Sequence, residues 1–239
     1  MSIRRTRLIA ALDTASHDQA QHWAAALEGK VDAIKLGLEF TYACGLDAVK
    51  SLAARQELFL DLKLHDIPNT VASGLRALAP IQPSLMTIHA LGGAEMISRS
   101  RAVLEEAFDD GRKRPKLLAV TVLTSMNEES LAEIGINTTP LKEVVRLGRM
   151  AVRAGADGLV CSAHEITALR DALGDEPALV VPGIRPAGSS TDDQKRIMTP
   201  AQAARAGADW IVVGRPITRA NDPAAAAQAI QDELQAATL

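Results

Sequence analysis

The stretch Leu58-Phe59-Leu60-Asp61-Leu62-Lys63-Leu64 decides how this chain is read. Side chains alternate along a strand with period two, so leucine fills one face while Phe59, Asp61 and Lys63 share the other. Short apolar runs of the same kind recur at 8–13, 33–37, 85–90, 117–123, 158–162, 178–183 and 210–214, with alanine-rich helical stretches between them. Eight runs in 239 residues give about 30 residues each, the size of one strand plus its crossover helix. Parallel strands are buried on both faces and therefore read as nearly continuous apolar runs. A doubly wound open sheet would have fewer strands and a glycine-rich first turn, and neither Gly-x-Gly-x-x-Gly nor a P-loop pattern occurs. The class is α/β, and the expected architecture is a single (β/α)8 TIM barrel spanning residues 1–239 as one domain. Arg-Ala-Gly-Ala-Asp occurs at 153–157 and again at 205–209. This echo marks either a duplicated unit or a common helix-to-strand turn with glycine at the helix end.

Composition narrows the function. The chain is 47% hydrophobic and 23% charged, enough for a packed core, with a net charge of −3 that does not suit a nucleic-acid or membrane-surface protein. Aromatics are 3%, too few for base-stacking platforms. The basic run at 112–116 reads as a solvated loop before a strand. Cys44 and Cys161 cannot build a disulfide framework and read as buried reduced thiols. No stretch has the length of a signal or membrane segment, so a cytoplasmic location is expected.

In a barrel the active site lies at the C-terminal ends of the strands. On the third run Asp61 and Lys63 then point inward, and isolated charges there are unfavourable unless paired. Lys35 in the second run points the same way, Asp13 ends the first run, and Asp66 follows the third. Lys35, Asp61, Lys63 and Asp66 thus form a set that alternates in sign around one cavity, unless they are only a buried ion-pair network. Across the mouth, Pro182-Gly183-Ile184-Arg185 and Gly214-Arg215 follow the seventh and eighth runs, where barrels often hold phosphate through backbone N–H groups and arginine forks. His89 ends the fourth run, either lining the site or hydrogen-bonded in the core. No His/Asp/Glu set has metal-ligand spacing, and Thr124-Ser125 lacks a nucleophile elbow. The polar loops at roughly 124–140 and 184–199 are long enough to act as lids or binding loops.

The segment Leu60-Asp61-Leu62-Lys63-Leu64-His65-Asp66-Ile67-Pro68-Asn69-Thr70 resembles the signature of the orotidine 5'-phosphate decarboxylase family. The resemblance extends to Ala11-Leu12-Asp13, the segment 34–37, Val120 to Met126, Val181 to Arg185 and Val213 to Pro216, in order along the chain. It implies a cofactor-free, metal-free decarboxylation of orotidine 5'-monophosphate (OMP) to UMP, the last step of UMP synthesis. Lys63 would be the proton donor, with Lys35, Asp61 and Asp66 completing the charged network. Asp13 and Lys35 would touch the ribose, Thr124 the pyrimidine with Pro182 beside it, and Arg185, Gln194, Gly214 and Arg215 the phosphate. Asp66, Ile67 and Thr70 would reach the neighbouring subunit's site, making a homodimer the working unit. Related Mg2+-dependent sugar-phosphate decarboxylases and synthases typically carry an acid where this chain has Lys35. A non-catalytic barrel that senses a phosphorylated ligand is the remaining reading.

Overall fold

The computed structural model describes residues 5–186 and 198–237. Eight parallel strands close on themselves in sequence order: β1 (Arg7–Ala11), β2 (Ala33–Gly37), β3 (Leu58–Leu64), β4 (Leu85–His89), β5 (Lys116–Val120), β6 (Gly158–Val160), β7 (Ala178–Pro182) and β8 (Trp210–Val213). The (β/α)8 TIM barrel read from the run pattern is therefore the fold. Around it lie α1 (His17–Ala26), α2 (Leu38–Ala53), α3 (Pro68–Leu78), α4 (Gly93–Ala107), α5 (Glu128–Glu133), α6 (Pro140–Arg153), α7 (Ile166–Leu173), α8 (Pro200–Ala206), α9 (Arg215–Thr218) and α10 (Pro223–Ala237).

Strand parity sorts the core into two layers. Ile34, Leu36, Leu58, Leu60, Met86 and Ile88 face outward into the layer between barrel and helices. Ile9, Ala33, Phe59, Leu85, Leu118, Val180 and Trp210 face inward and fill the barrel. Each fully buried leucine or isoleucine here contributes about 1.5–3 kcal/mol of transfer free energy. The interior is thus packed at its N-terminal end, and only the opposite mouth is left for chemistry.

Local chemistry sets the helix ends. Ser16, Asn127, Thr139 and Thr199 each accept a backbone N–H at an N-cap, and Pro140 and Pro200 take the first helical positions, where no N–H is needed. The two Arg-Ala-Gly-Ala-Asp stretches adopt the same turn: Gly155 and Gly207 have φ of +104° and +103°, a left-handed conformation that glycine adopts without a Cβ clash. The loop at 124–140 is not wholly irregular, because α5 forms within it. Cys161 is buried as expected, but Cys44 is only half-buried and its thiol donates to the Ala15 carbonyl. The basic run is also corrected at Arg114, whose guanidinium makes a two-pronged contact with Asp157 rather than facing water. Among the described residues no helix is long and apolar enough to cross a membrane.

Candidate active site

Three neighbouring strand ends bring the charges together. Asp61 on β3 accepts the Lys63 ammonium on Oδ2 at 2.7 Å, and the Lys35 ammonium from β2 lies 3.8 Å from that same oxygen. Lys35 also donates to Asp13 Oδ1 at 2.9 Å. The Asp61 and Lys35 side chains are only 10% and 11% exposed, whereas Lys63 is 32% exposed and Asp13 56%. A buried carboxylate is therefore balanced by two cations, as its desolvation requires. The more open Lys63 is the cation with access to the mouth.

Space at this cluster depends on Gly37, the last residue of β2. A Cβ there would come within 3.2 Å of Lys35 Nζ, so the ammonium would have to give way by a few tenths of an ångström. A second group missed by the sequence reading is Thr87, on the interior face of β4 between Leu85 and His89. Its hydroxyl donates to Asp61 Oδ1 at 3.0 Å and accepts the Lys63 N–H at 2.9 Å. Alternation along residues 85–90 carries the signal, since Thr87 and His89 are the polar inward positions of an otherwise apolar run.

On the far side of the mouth Asp13, Lys35, Pro182, Arg185, Gly214 and Arg215 line one cavity of about 160 Å3, together with Ala11, Gly183 and Val212. Six expected site residues from four segments of the chain thus converge. Arg185 is buried and its backbone N–H donates to Met198 O, where an isolated bridge joins Ile184 to Met198 and closes the base of the long loop. Gly214 precedes α9 and allows the chain to turn from β8 into that helix. Gln194 lies outside the described residues.

Asp61 and Lys63 sit in the charged cluster rather than in the lining of this cavity, and four further expected residues join neither. Asp66 is exposed and accepts its own chain's Ile67 N–H at 2.7 Å, so within one chain the alternating set is three charges plus Asp13, not Asp66. Ile67 is 67% exposed, Thr70 is exposed on the first turn of α3, and Thr124 is exposed past β5. His89 is not a satisfied core histidine: its Nδ1 is buried without a hydrogen-bond partner, and its ring lies 5.4 Å from that of His65. Burial, reinforced by the charges of His65 and Lys63, holds its pKa below the ordinary histidine value despite Asp61.

The arrangement offers a lysine ammonium held by a buried carboxylate, next to a pocket with two arginines. Among the described residues no group of three His, Cys, Asp or Glu side chains could hold a metal ion. Residues 6–230 match the model of the orotidine 5'-phosphate decarboxylase / HUMPS family. The chain is 74% identical over 234 residues to an orotidine 5'-phosphate decarboxylase of Gluconobacter oxydans (strain 621H), covering 98% of this chain and 99% of that one. It is 51% identical over 225 residues to the orotidine 5'-phosphate decarboxylase of Anaeromyxobacter dehalogenans (strain 2CP-1 / ATCC BAA-258), covering 94% and 96%. It also superposes on the crystal structure of the Lactobacillus acidophilus orotidine 5'-phosphate decarboxylase with a TM-score of 0.86 and 40% identity, over 96% of this chain and 99% of that one.

Proposed function

The chain belongs to the orotidine 5'-phosphate decarboxylase / HUMPS family, and on that basis we propose that it converts OMP to UMP and CO2 by a route that needs only its own side chains. The observation that carries this reading is the placement of two ammonium groups, Lys35 and Lys63, on one oxygen of Asp61. A divalent cation does not fit the same set, because the Lys35 ammonium already lies between Asp13 and Asp61. That disfavours the Mg2+-dependent sugar-phosphate reading. A ligand sensor would have no use for a proton donor.

In the reaction the bond from C6 to the carboxylate breaks, CO2 leaves, and the electron pair stays on C6. The Lys63 ammonium stabilises that developing charge and then gives its proton to C6, yielding UMP and a neutral lysine that regains a proton from solvent. Asp61 holds Lys63 in place and stands beside the departing carboxylate. Arg185, Arg215 and the Gly214 backbone grip the phosphate, with Gln194 contributing from the long loop. Asp13 and Lys35 engage the ribose, and Thr124 and Pro182 the pyrimidine. Binding energy gathered at the phosphate, far from C6, helps organise the reacting end.

A homodimer completes the site in this proposal. Asp66 lies outside its own chain's network, and Ile67, Leu91 and Leu123 are large exposed apolar residues just past the ends of three adjacent strands. A second copy covering them would bring its Asp66, Ile67 and Thr70 to this mouth. Two free thiols are in keeping with the cytoplasm as the working compartment. The test is the absorbance of OMP with purified protein in buffer containing EDTA. Conversion to UMP supports the reading, and binding of UMP without conversion of OMP would leave only a phospho-ligand barrel.

A further inference from the structure

We propose that Thr87 is the positioning residue of the charged set: one buried hydroxyl fixes both the Asp61 carboxylate and the backbone from which Lys63 projects. This inference deepens the decarboxylase reading and rests on it.

The β3–β4 ladder pairs Leu60 with Met86 and Leu64 with Ile88, so β3 carries two more residues than β4 between those pairs. A bulge leaves the extra residues without regular ladder partners and re-aims their side chains. Asp61 and Lys63 both lie in this bulge. Lys63 has φ of +49°, one of two non-glycine residues with positive φ among the described residues. L residues with a Cβ rarely adopt that conformation, and it persists only where neighbours hold it.

Thr87 stands opposite the bulge and is 1% exposed. Its hydroxyl has a single proton. A carboxylate can only accept, so that proton goes to Asp61 Oδ1 at 3.0 Å, and the oxygen lone pair takes the Lys63 N–H at 2.9 Å. With Oδ1 engaged, Oδ2 is the oxygen left for the Lys63 and Lys35 ammonium groups, at 2.7 and 3.8 Å. Both ends of the Asp61–Lys63 pair are thus referred to one rigid point on β4. At 1% exposure the hydroxyl is shielded from bulk water.

Thr87 does not line the phosphate cavity. Its loss therefore disturbs the aim of Lys63 more than the grip on the nucleotide. Small displacements of a reacting group carry large rate penalties, so Thr87→Val, which keeps the shape without the hydroxyl, should lower kcat about 10- to 100-fold. KM and the Kd for UMP should stay within about threefold, because the phosphate and ribose contacts are untouched. Thr87→Ser keeps the hydroxyl and should hold kcat within about threefold of wild type.

The experiment compares wild type, Thr87→Val and Thr87→Ser by OMP turnover, UMP titration calorimetry and hydrogen exchange at the Lys63 amide. Should the valine variant not fold, Thr87→Ala serves as the second hydroxyl deletion. The expected pattern is a fall in kcat at constant UMP affinity, rescue by serine, and faster Lys63 amide exchange only where the hydroxyl is gone. Four results would each overturn the proposal. One is near-normal kcat in Thr87→Val, and another is an equal loss in Thr87→Ser. The third is a parallel loss of UMP affinity and kcat. If wild type itself leaves OMP unchanged, the decarboxylase reading fails on its own, and Lys63 amide exchange that stays slow in Thr87→Val would separately refute the role of Thr87.

Discussion

Asp157 and Asp209 occupy the same position in two parts of the barrel and do the same work. Asp157 Oδ2, just before β6, accepts the Leu117 N–H of β5 at 2.7 Å, and Asp209 Oδ2, just before β8, accepts the Leu179 N–H of β7 at 2.7 Å. Asp32 before β2 accepts Leu8 N–H of β1 at 2.8 Å in the same way. Each carboxylate staples the start of one strand to the start of the next and is held by arginine: Arg114 and Arg101 on Asp157, Arg170 on Asp209, Arg5 on Asp32. The repeated pentapeptide thus encodes a recurring device at the face opposite the active site, where conserving strand register serves stability.

Burial pushes the Asp157 carboxyl up, but the Arg114 guanidinium, the Leu117 N–H and the charge of Arg101 together outweigh it and hold it below the usual carboxylate range. A depressed carboxylate stabilises the fold above its unfolded pKa of about 4, and that contribution fades as pH falls through the lower folded value. Asp157→Asn should therefore lose about 2–3 kcal/mol near neutral pH. The gap to wild type should narrow in acid. Denaturant unfolding across pH measures both, and a constant gap would contradict the sign.

Gly37 is expected to matter for chemistry rather than folding. Its φ is −107°, which any residue adopts, so the problem is space: an added Cβ meets Lys35 Nζ at 3.2 Å. Gly37→Ala should lower kcat/KM about tenfold with little change in Tm. Unchanged steady-state kinetics would show that Lys35 can yield without consequence.

The shared-site proposal makes an arithmetic prediction. Lys63→Ala and Asp66→Ala should each be nearly inactive alone. Mixed under conditions that exchange subunits, they form hybrids with one doubly damaged and one intact site, restoring up to about a quarter of wild-type activity. Activity that never rises on mixing, despite hybrid formation by native mass spectrometry, would contradict an Asp66 donated across the interface.

His89 gives a pH signature of the opposite chemistry to Asp157. Its pKa is lowered by burial first, then by His65 and Lys63, against the raising influence of Asp61. The unfolded chain takes up this proton before the folded one does, so stability falls as pH drops through about 6.5. His89→Gln should flatten that loss between about pH 7 and pH 5 in thermal unfolding. An identical slope in both proteins would show that other groups set it.

Much of this was legible because the barrel obeys parity. Leu58 and Leu60 outward, with Phe59 and Asp61 inward, follow from alternation alone. The bulge at β3 is invisible in sequence for the same reason: two extra residues preserve the alternation, so the run reads as a regular strand. Strand ends were harder. Leu12 and Val122 lie past the ends of β1 and β5 yet remain buried, so hydrophobicity continues where the ladder stops. Arg114 read as a loop charge because its partner Asp157 is distant in sequence, and Asp66 read as part of the local set because nothing in a linear pattern says that its carboxylate turns to the Ile67 N–H.

Lys63 is the residue on which the proposed chemistry turns. Wild type and Lys63→Ala should be compared for OMP turnover in EDTA, with UMP affinity measured alongside. We expect turnover to fall by about 10³-fold or more while UMP binding changes little, since the phosphate and ribose groups remain. Near-normal turnover by Lys63→Ala would contradict the proposed proton donor and the mechanism built on it.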